Sequence, residues 1–274
     1  MSARISDVPL SLAHLSELDV PPLELVELAA RAGFASIGLR TAPASPGGVV
    51  YPLTTEAEQA EMRRRLAANG VKVLEVEVVP LSGATRVADY RPMLETGAAI
   101  GASRLTVVGD STDFAAVADR LAEMAELALP YGIAVDLEFM PFRPVQSLAH
   151  AVDVVTRADH PNAHILIDAL HVFRSGTSPQ EFAGLDPALL GPIQLCDAPA
   201  QAPPPDGLIV EARTRRLLPG AGELALSALI DALPPDIQFG VEVPLAGQRP
   251  DLDPGARLAL LVSATRDFLK RRNA

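Results

Sequence analysis

Short apolar runs alternate with amphipathic helical stretches along almost the whole of this 274-residue chain. An uninterrupted apolar run of about four to eight residues suits a strand covered on both faces, as in a parallel sheet with helices outside it. Such runs fall at residues 8–12, 36–39, 71–79, 104–108, 133–137, 165–167, 192–196 and 237–243. Helical patterns fall at residues 21–33, 55–69, 86–101, 112–128, 145–157, 178–185, 222–233 and 253–272. The punctuation agrees with these boundaries. Pro21-Pro22 opens the first helix and Gly33 closes it, while Thr55 and Glu58 have the spacing of a capping box. Eight strand–helix units close into a barrel, so the expected fold is a single (β/α)8 TIM barrel domain over residues 1–274. Neither GxGxxG nor GxxxxGK[ST] occurs, which removes the main sign of an open nucleotide-binding sheet.

Composition narrows the partners. Hydrophobic residues make up 49% of the chain, enough to fill both a barrel and the layer beneath its helices. The net charge of −11 argues against a nucleic-acid partner, since the clearest basic run, Arg213 to Arg216, carries only three arginines. Cys196 is alone, so an internal disulfide and cysteine-type structural zinc are both excluded. No apolar stretch approaches the ~18 residues of a spanning helix, and no basic segment leads into a long apolar one at the N-terminus. The expectation is a soluble, cytoplasmic protein with a small-molecule substrate and no membrane partner; a homo-oligomer stays open. The stretch APAQAPPPD begins at residue 198, and its four prolines make a stiff loop that cannot enter a sheet. Because the strand–helix alternation resumes after it, residues 198–207 read as a cover over a site rather than a domain linker.

In a barrel of this kind the reactive groups sit where strands end. Strands five to eight deliver Glu138, Asp168, Gln194 and Glu242 to that end. Three carboxylates in one pocket repel one another unless a cation neutralises them. Oxygen donors suit Mg²⁺ or Mn²⁺ best, with Co²⁺ or Zn²⁺ as softer options. Each of the four residues alone has an ordinary structural role open to it; Asp168, for one, can cap the following helix. His171 stands one helical turn beyond Asp168 and can act as a general acid or base or hold a substrate hydroxyl; the alternative is a polar residue in the first turn of a helix. Arg40, Glu75 and Arg213 are candidate substrate contacts, with His14 and Arg143 beside them, against the alternatives of surface ion pairs and a solvated basic run. Asp197 reads as support for the metal or as a turn residue.

Taken in order, VDLEFMP with Glu138, ILIDALH with Asp168 and His171, IQLCDAP with Gln194 and Asp197, RRLLPGAGEL, and GVEVP with Glu242 resemble the xylose isomerase-like TIM barrels. That superfamily includes sugar phosphate isomerases and epimerases. The resemblance implies that Glu138, Asp168 and Glu242 bind the metal, that the two glutamates move protons beside a carbonyl, and that His171 contacts substrate. The epimerases usually carry His where this chain has Gln194. In that respect, and in its PGxG segment, the chain is more similar to bacterial 3-dehydroshikimate dehydratases. A shared step follows: a metal polarises a carbonyl and Glu138, Glu242 or His171 moves the proton from the adjacent carbon. Reprotonation gives an isomerase or epimerase of a keto-sugar, the first expectation; loss of a β-hydroxyl gives a dehydratase, the second. A phosphodiesterase of the endonuclease IV type needs more histidines than the five present, and a non-catalytic barrel would leave the acid set without a purpose.

Overall fold

A computed structural model describes residues 8–44 and 47–272, and its eight strands form one closed parallel barrel. The strands are β1 (Leu10–Leu12), β2 (Ser36–Arg40), β3 (Lys72–Leu81), β4 (Arg104–Gly109), β5 (Ala134–Glu138), β6 (Ala163–Asp168), β7 (Leu190–Leu195) and β8 (Phe239–Val241). Each pairs with its neighbour in sequence, and β8 returns to β1. The single-domain barrel expected from the alternation is therefore the fold. The helices around it are α1 (Pro22–Ala32), α2 (Glu56–Asn69), α3 (Arg91–Ala99), α4 (Phe114–Ala128), α5 (Leu148–Ala158), α6 (Ala169–Arg174), α7 (Leu208–Thr214), α8 (Leu226–Asp231) and α9 (Pro254–Arg272). Among the described residues no helix is long and apolar enough to cross a membrane.

Local chemistry sets these boundaries. α1 buries Leu25, Val26, Leu28 and Ala29 against the barrel and stops at Gly33, whose φ of 98° is left-handed and whose N–H reaches the carbonyls of Ala29 and Ala30. The Thr55–Glu58 box forms as its spacing predicts, each side chain accepting the other's backbone N–H. Three stretches differ from their patterns. Residues 86–101 divide into a 3₁₀ turn, Val87–Tyr90, and α3, with Pro92 in the first turn of α3, where its missing N–H costs nothing. Residues 178–185 are a 3₁₀ segment, Pro179–Gly184, and the true helix after β6 is α6, which begins directly at Asp168. α7 follows the proline-rich loop, where the sequence pattern shows no helix.

Register places the chemistry at one level. Asp168 pairs with Gln194, Gln194 with Gly240, and Gly240 with Ser11. Glu138 ends β5, Asp168 ends β6 and Arg40 ends β2, while Glu242 follows β8 and donates its backbone N–H to the carbonyl of Leu195 at 3.0 Å. All lie at the carboxyl end of the strands. At the opposite end, Arg104 and Gln238 close the barrel over buried Asp136.

Candidate active site

The α6 start shows how one residue serves two ends. Asp168 is fully buried, and its Oδ1 accepts the backbone N–H of His171 at 3.0 Å, the ordinary N-cap bond. The helix cap and the pocket ligand are thus not alternatives: the cap fixes the carboxylate, and the same turn brings His171 round to the pocket. His171 Nε2 lies 3.5 Å from Glu138 Oε1, and Phe142 packs edge-on against the imidazole. Glu138, Asp168 and His171 each bring one donor atom within 4.8 Å of the others, the arrangement a divalent ion takes.

Arg216 enters the same cluster. Its guanidinium is buried, with one terminal nitrogen 2.5 Å from Asp168 Oδ2 and the other 2.8 Å from Glu242 Oε2. Its Nε donates to the carbonyl of Ala212 in α7 at 2.7 Å, and its first terminal nitrogen also meets Cys196 Sγ at 3.4 Å. A buried guanidinium is stable only when its fork is filled in this way. Glu242 faces Arg216 and lies outside the Glu138–Asp168–His171 donor group.

Beneath this level, Gln194 Nε2 donates to Glu75 Oε1 at 3.3 Å, and Thr106 Oγ1 donates to Glu75 Oε2 at 2.9 Å. With its amide nitrogen committed to Glu75, Gln194 is left with a buried Oε1 that has no partner; His171 Nδ1 is likewise buried and unmatched. On the β2–β3 side, Arg40 is held by Glu77, both Nε and a terminal nitrogen lying 2.9 Å from Glu77 Oε1. His14 Nδ1 accepts the backbone N–H of Arg40 at 2.9 Å, so His14 positions that strand end rather than facing the cleft.

The electrostatics follow from a surplus. Glu75, Glu77, Glu138, Asp168 and Glu242 are five buried carboxyl groups against two buried guanidiniums, Arg40 and Arg216. Three negative charges would remain unmatched if every acid ionised. Burial, followed by repulsion from Glu242 and Asp168, holds the Glu138 carboxyl well above its ordinary range. Burial also pushes Glu242 up to about 8, against the pull of Arg216, and Glu75 up to about 8 with help from Glu77. Burial would raise Asp168 too, but Arg216, His171 and its two hydrogen bonds outweigh it and hold the carboxyl below its usual value. Burial lowers His171 to about 4, leaving a neutral imidazole at pH 7. Three acids thus retain protons where three charges lack a partner. A divalent cation fits in their place: the donors are oxygen and imidazole, and two of the buried atoms here are otherwise unsatisfied.

The cleft above is lined by Arg40, Glu77, Glu138, Met140, Phe142, Arg143, His171, Ala212, Arg213, Arg216 and Glu242, among others, with about 600 Å³ of space including its mouth. Of the residues singled out in the sequence, Glu138, His171, Glu242, Arg40 and Arg213 face it directly; Asp168, Gln194 and Glu75 lie beneath it. Arg143 pairs with Asp110 at 2.9 Å. Arg213 is exposed at the rim, and among the described residues no hydrogen bond or ion pair holds its side chain. Asp197 turns away from the cluster: its carboxylate accepts the backbone N–H groups of Ala198, Gly220 and Leu224 and shapes the PGAG loop. Gly222 is required there, because a Cβ would stand 2.4 Å from the Ala198 carbonyl oxygen. None of residues 198–207 lines the cleft, where the sequence pattern places the proline loop as a cover; the α7 that follows it does, through Ala212 and Arg213. The loop is instead pinned by Arg174, which binds Glu211 with both nitrogens and the Pro199 carbonyl, each at 2.8 Å.

Sequence reasoning missed Arg216 and Glu77. Only the second left a signal in the sequence. Arg216 abuts Leu217, whose bridge to Asp197 exists only in the folded chain. Glu77 shares with Glu75 the period-two face of β3.

The sequence matches the family described as Xylose isomerase-like TIM barrel over residues 26–262. The chain belongs to that family. A 3-dehydroshikimate dehydratase of Pseudomonas aeruginosa is 29% identical over 133 residues, 48% of this chain; the match spans only 20% of that relative's length. Among solved structures, the IOLI protein with a bound zinc atom superposes with a TM-score of 0.80 at 18% identity, covering 96% of this chain and 99% of its own. A D-psicose 3-epimerase from Clostridium cellulolyticum H10 superposes with a TM-score of 0.70 at 15% identity, covering 96% and 99%. At such identities the structures speak for the fold.

Proposed function

We propose that this chain is a metal-dependent enzyme that moves a proton at the carbon beside a carbonyl, and that its product arises by loss of water from an anionic cyclic ketone. The observation that carries the first part is the pair Glu138 and Glu242. Both are buried, both have carboxyls held above the ordinary carboxylate range, that of Glu242 at about 8, and both face one cleft beside the Glu138–Asp168–His171 donor group. A carboxylate that takes up and returns a proton near pH 7 is what such a step needs. Glu138, Asp168 and His171, with the free oxygen of Gln194, would hold a divalent ion, Mg²⁺ or Mn²⁺ by the oxygen-rich donor set and Zn²⁺ or Co²⁺ through the imidazole. Bound there, such an ion supplies Lewis acidity to a carbonyl oxygen. Glu138 or Glu242, once ionised, accepts the carbon-bound proton; its partner, still protonated, can give one to a leaving hydroxyl. His171 is neutral, and Phe142 orients its ring, so it hydrogen-bonds substrate rather than carrying charge.

Dehydration is favoured over isomerisation by the cleft's arginines. Among the described residues Arg213 has no partner, so it can receive a carboxylate, with Arg143, itself paired to Asp110, adding its charge beside it. The sequence similarity to a 3-dehydroshikimate dehydratase is in line with this. Isomerisation or epimerisation of a keto-sugar is the second reading; it needs the same two glutamates, one returning the proton that the other removes. Incubation of metal-loaded protein in D₂O with 3-dehydroshikimate and a panel of keto-sugars separates them. A conjugated product with rising absorbance supports dehydration. Deuterium beside the carbonyl of a recovered isomer supports the second reading. Neither outcome across the panel would remove proton abstraction as the function.

A further inference from the structure

Arg216 is placed where a metal's charge would act. It bridges Asp168 Oδ2 at 2.5 Å and Glu242 Oε2 at 2.8 Å, spanning from the donor group to a fourth carboxylate. Two roles are open to a guanidinium in that position. It can brace the two acids from outside while a metal binds their other oxygens; supports of that kind raise metal affinity roughly 10–100-fold. Or it can occupy the same carboxyl oxygens that the metal would take, in which case the two cations compete.

The oxygens decide between them. Asp168 Oδ1 accepts the His171 N–H and Oδ2 the Arg216 N–H, so each oxygen keeps one lone pair, and a metal taking Oδ2 would share that oxygen with the guanidinium. Glu242 is turned to Arg216 and stands outside the donor group. A brace would hold both acids within the donor group, whereas the guanidinium's second contact is to an acid that stands outside it. Arg216 is also buried without surplus partners: its remaining contacts are the Ala212 carbonyl and the Cys196 thiol. A second positive centre beside it is repelled, with nothing between them to screen the charge.

We infer that Arg216 is an internal counter-cation that competes with the divalent ion for the carboxyl oxygens of Asp168 and Glu242, keeping the metal-free protein folded and setting its metal affinity. It acts through those carboxylates and is therefore a positioning residue. This inference rests on the metal-site reading above. It also ties the metal to the cover of the cleft, because Arg216 Nε is bonded to Ala212 in α7, next to Arg213 at the rim. When the guanidinium yields its carboxylates, it becomes available to an anionic substrate in the cleft it already lines.

The test is Mn²⁺ affinity, read from the electron paramagnetic resonance signal of free Mn²⁺ with full-length, chelator-stripped protein. Arg216→Met should bind Mn²⁺ at least about ten-fold more tightly than the wild type, ~1.4 kcal/mol of relieved repulsion. Its metal-free form should melt at least about 5 °C lower, because two buried acids lose their partner, and added Mn²⁺ should restore most of the loss. Weaker or equal binding by Arg216→Met, with the wild type binding, would overturn the competition and leave a brace or a bystander. Should that variant fold poorly, Arg216→Ala in methylguanidinium carries the test: the small cation should refill the gap and weaken Mn²⁺ binding in the variant alone. Mn²⁺ affinity of Arg216→Ala unmoved by methylguanidinium would also overturn it. Absence of Mn²⁺ binding by wild type and variants alike would remove the metal centre itself, and this inference with it.

Discussion

Asp136 and Glu138 stand two residues apart on β5, on the same inward face, yet meet opposite surroundings. Asp136 lies towards the amino end, where Arg104 comes within 2.5 Å of its Oδ1 and Gln238 orients that arginine at 2.9 Å. Gly191 beside it leaves the space its carboxylate fills, since a Cβ there would stand 2.5 Å from Oδ1. One acid meets one guanidinium through Oδ1, with His164 3.8 Å away, while Oδ2 is buried without a hydrogen bond among the described residues; in charge, this barrel end is matched. Glu138, at the carboxyl end, meets a neutral imidazole at 3.5 Å and feels three further acids, Glu242, Asp168 and Glu77, with no cation among the described residues bonded to it. Matched charge locks a barrel end; surplus charge prepares one for a proton or a metal. The same strand supplies both because only the neighbours differ.

Substitutions at the two positions should therefore have opposite signatures, and the largest effect belongs to the upper one. Glu138→Gln should slow carbon–hydrogen exchange in D₂O by roughly 10²–10⁴-fold. Its metal-free form should be no less stable than the wild type at pH 8, since it loses an acid whose ionisation in the fold is unfavourable. Asp136→Asn should do the reverse, costing about 3 kcal/mol in denaturant unfolding while leaving exchange within a few-fold of wild type. Comparable losses of both properties in both variants would erase the distinction between the two ends.

A smaller effect is expected one layer down. Glu75 orients the amide of Gln194, so Glu75→Leu should weaken Mn²⁺ binding by roughly ten-fold, with Glu75→Gln intermediate. Unchanged affinity in Glu75→Leu would mean that the free oxygen of Gln194 takes no part in the metal site. The metal-free protein should also show a pH dependence of stability. Glu242 and Glu75 are raised to about 8 in the fold, while burial lowers His171, His14 and His164, which titrate in the opposite sense below the ordinary histidine value of 6.5. The native state therefore holds more protons than the unfolded chain between about pH 6.5 and 8. The stability of metal-free protein should fall as pH rises through that window, and Glu242→Gln should flatten the slope. A rise in stability over the same range would contradict the surplus.

Much of this was written locally in the chain, and the exceptions share a cause. The barrel follows from apolar runs and helix punctuation a few residues long, so it is visible in sequence. Glu138, Asp168, Gln194 and Glu242 are conspicuous because each sits where an apolar run ends. The pairing that gives them their properties is not local. Gln194 meets Glu75 across 119 residues, and Arg216 meets Asp168 across 48, contacts that exist only once the barrel has closed. Arg213 and Arg216 look alike in a basic run; the short ladder of Leu217 with Asp197 turns one inward and leaves the other at the rim. α7 is seven residues long and follows four prolines, too short for a periodic pattern to stand out, so the proline loop took its place in the sequence reading.

The central claim is that the site stores as protons the charge that a divalent ion replaces. Calorimetric titration of Mn²⁺ at pH 7, in buffers of different ionisation enthalpy, counts the protons released on binding. Release of about one to two protons per Mn²⁺, reduced in both Glu138→Gln and Glu242→Gln, is the expected result. Tight binding with no proton release, or release undiminished in both variants, would contradict it.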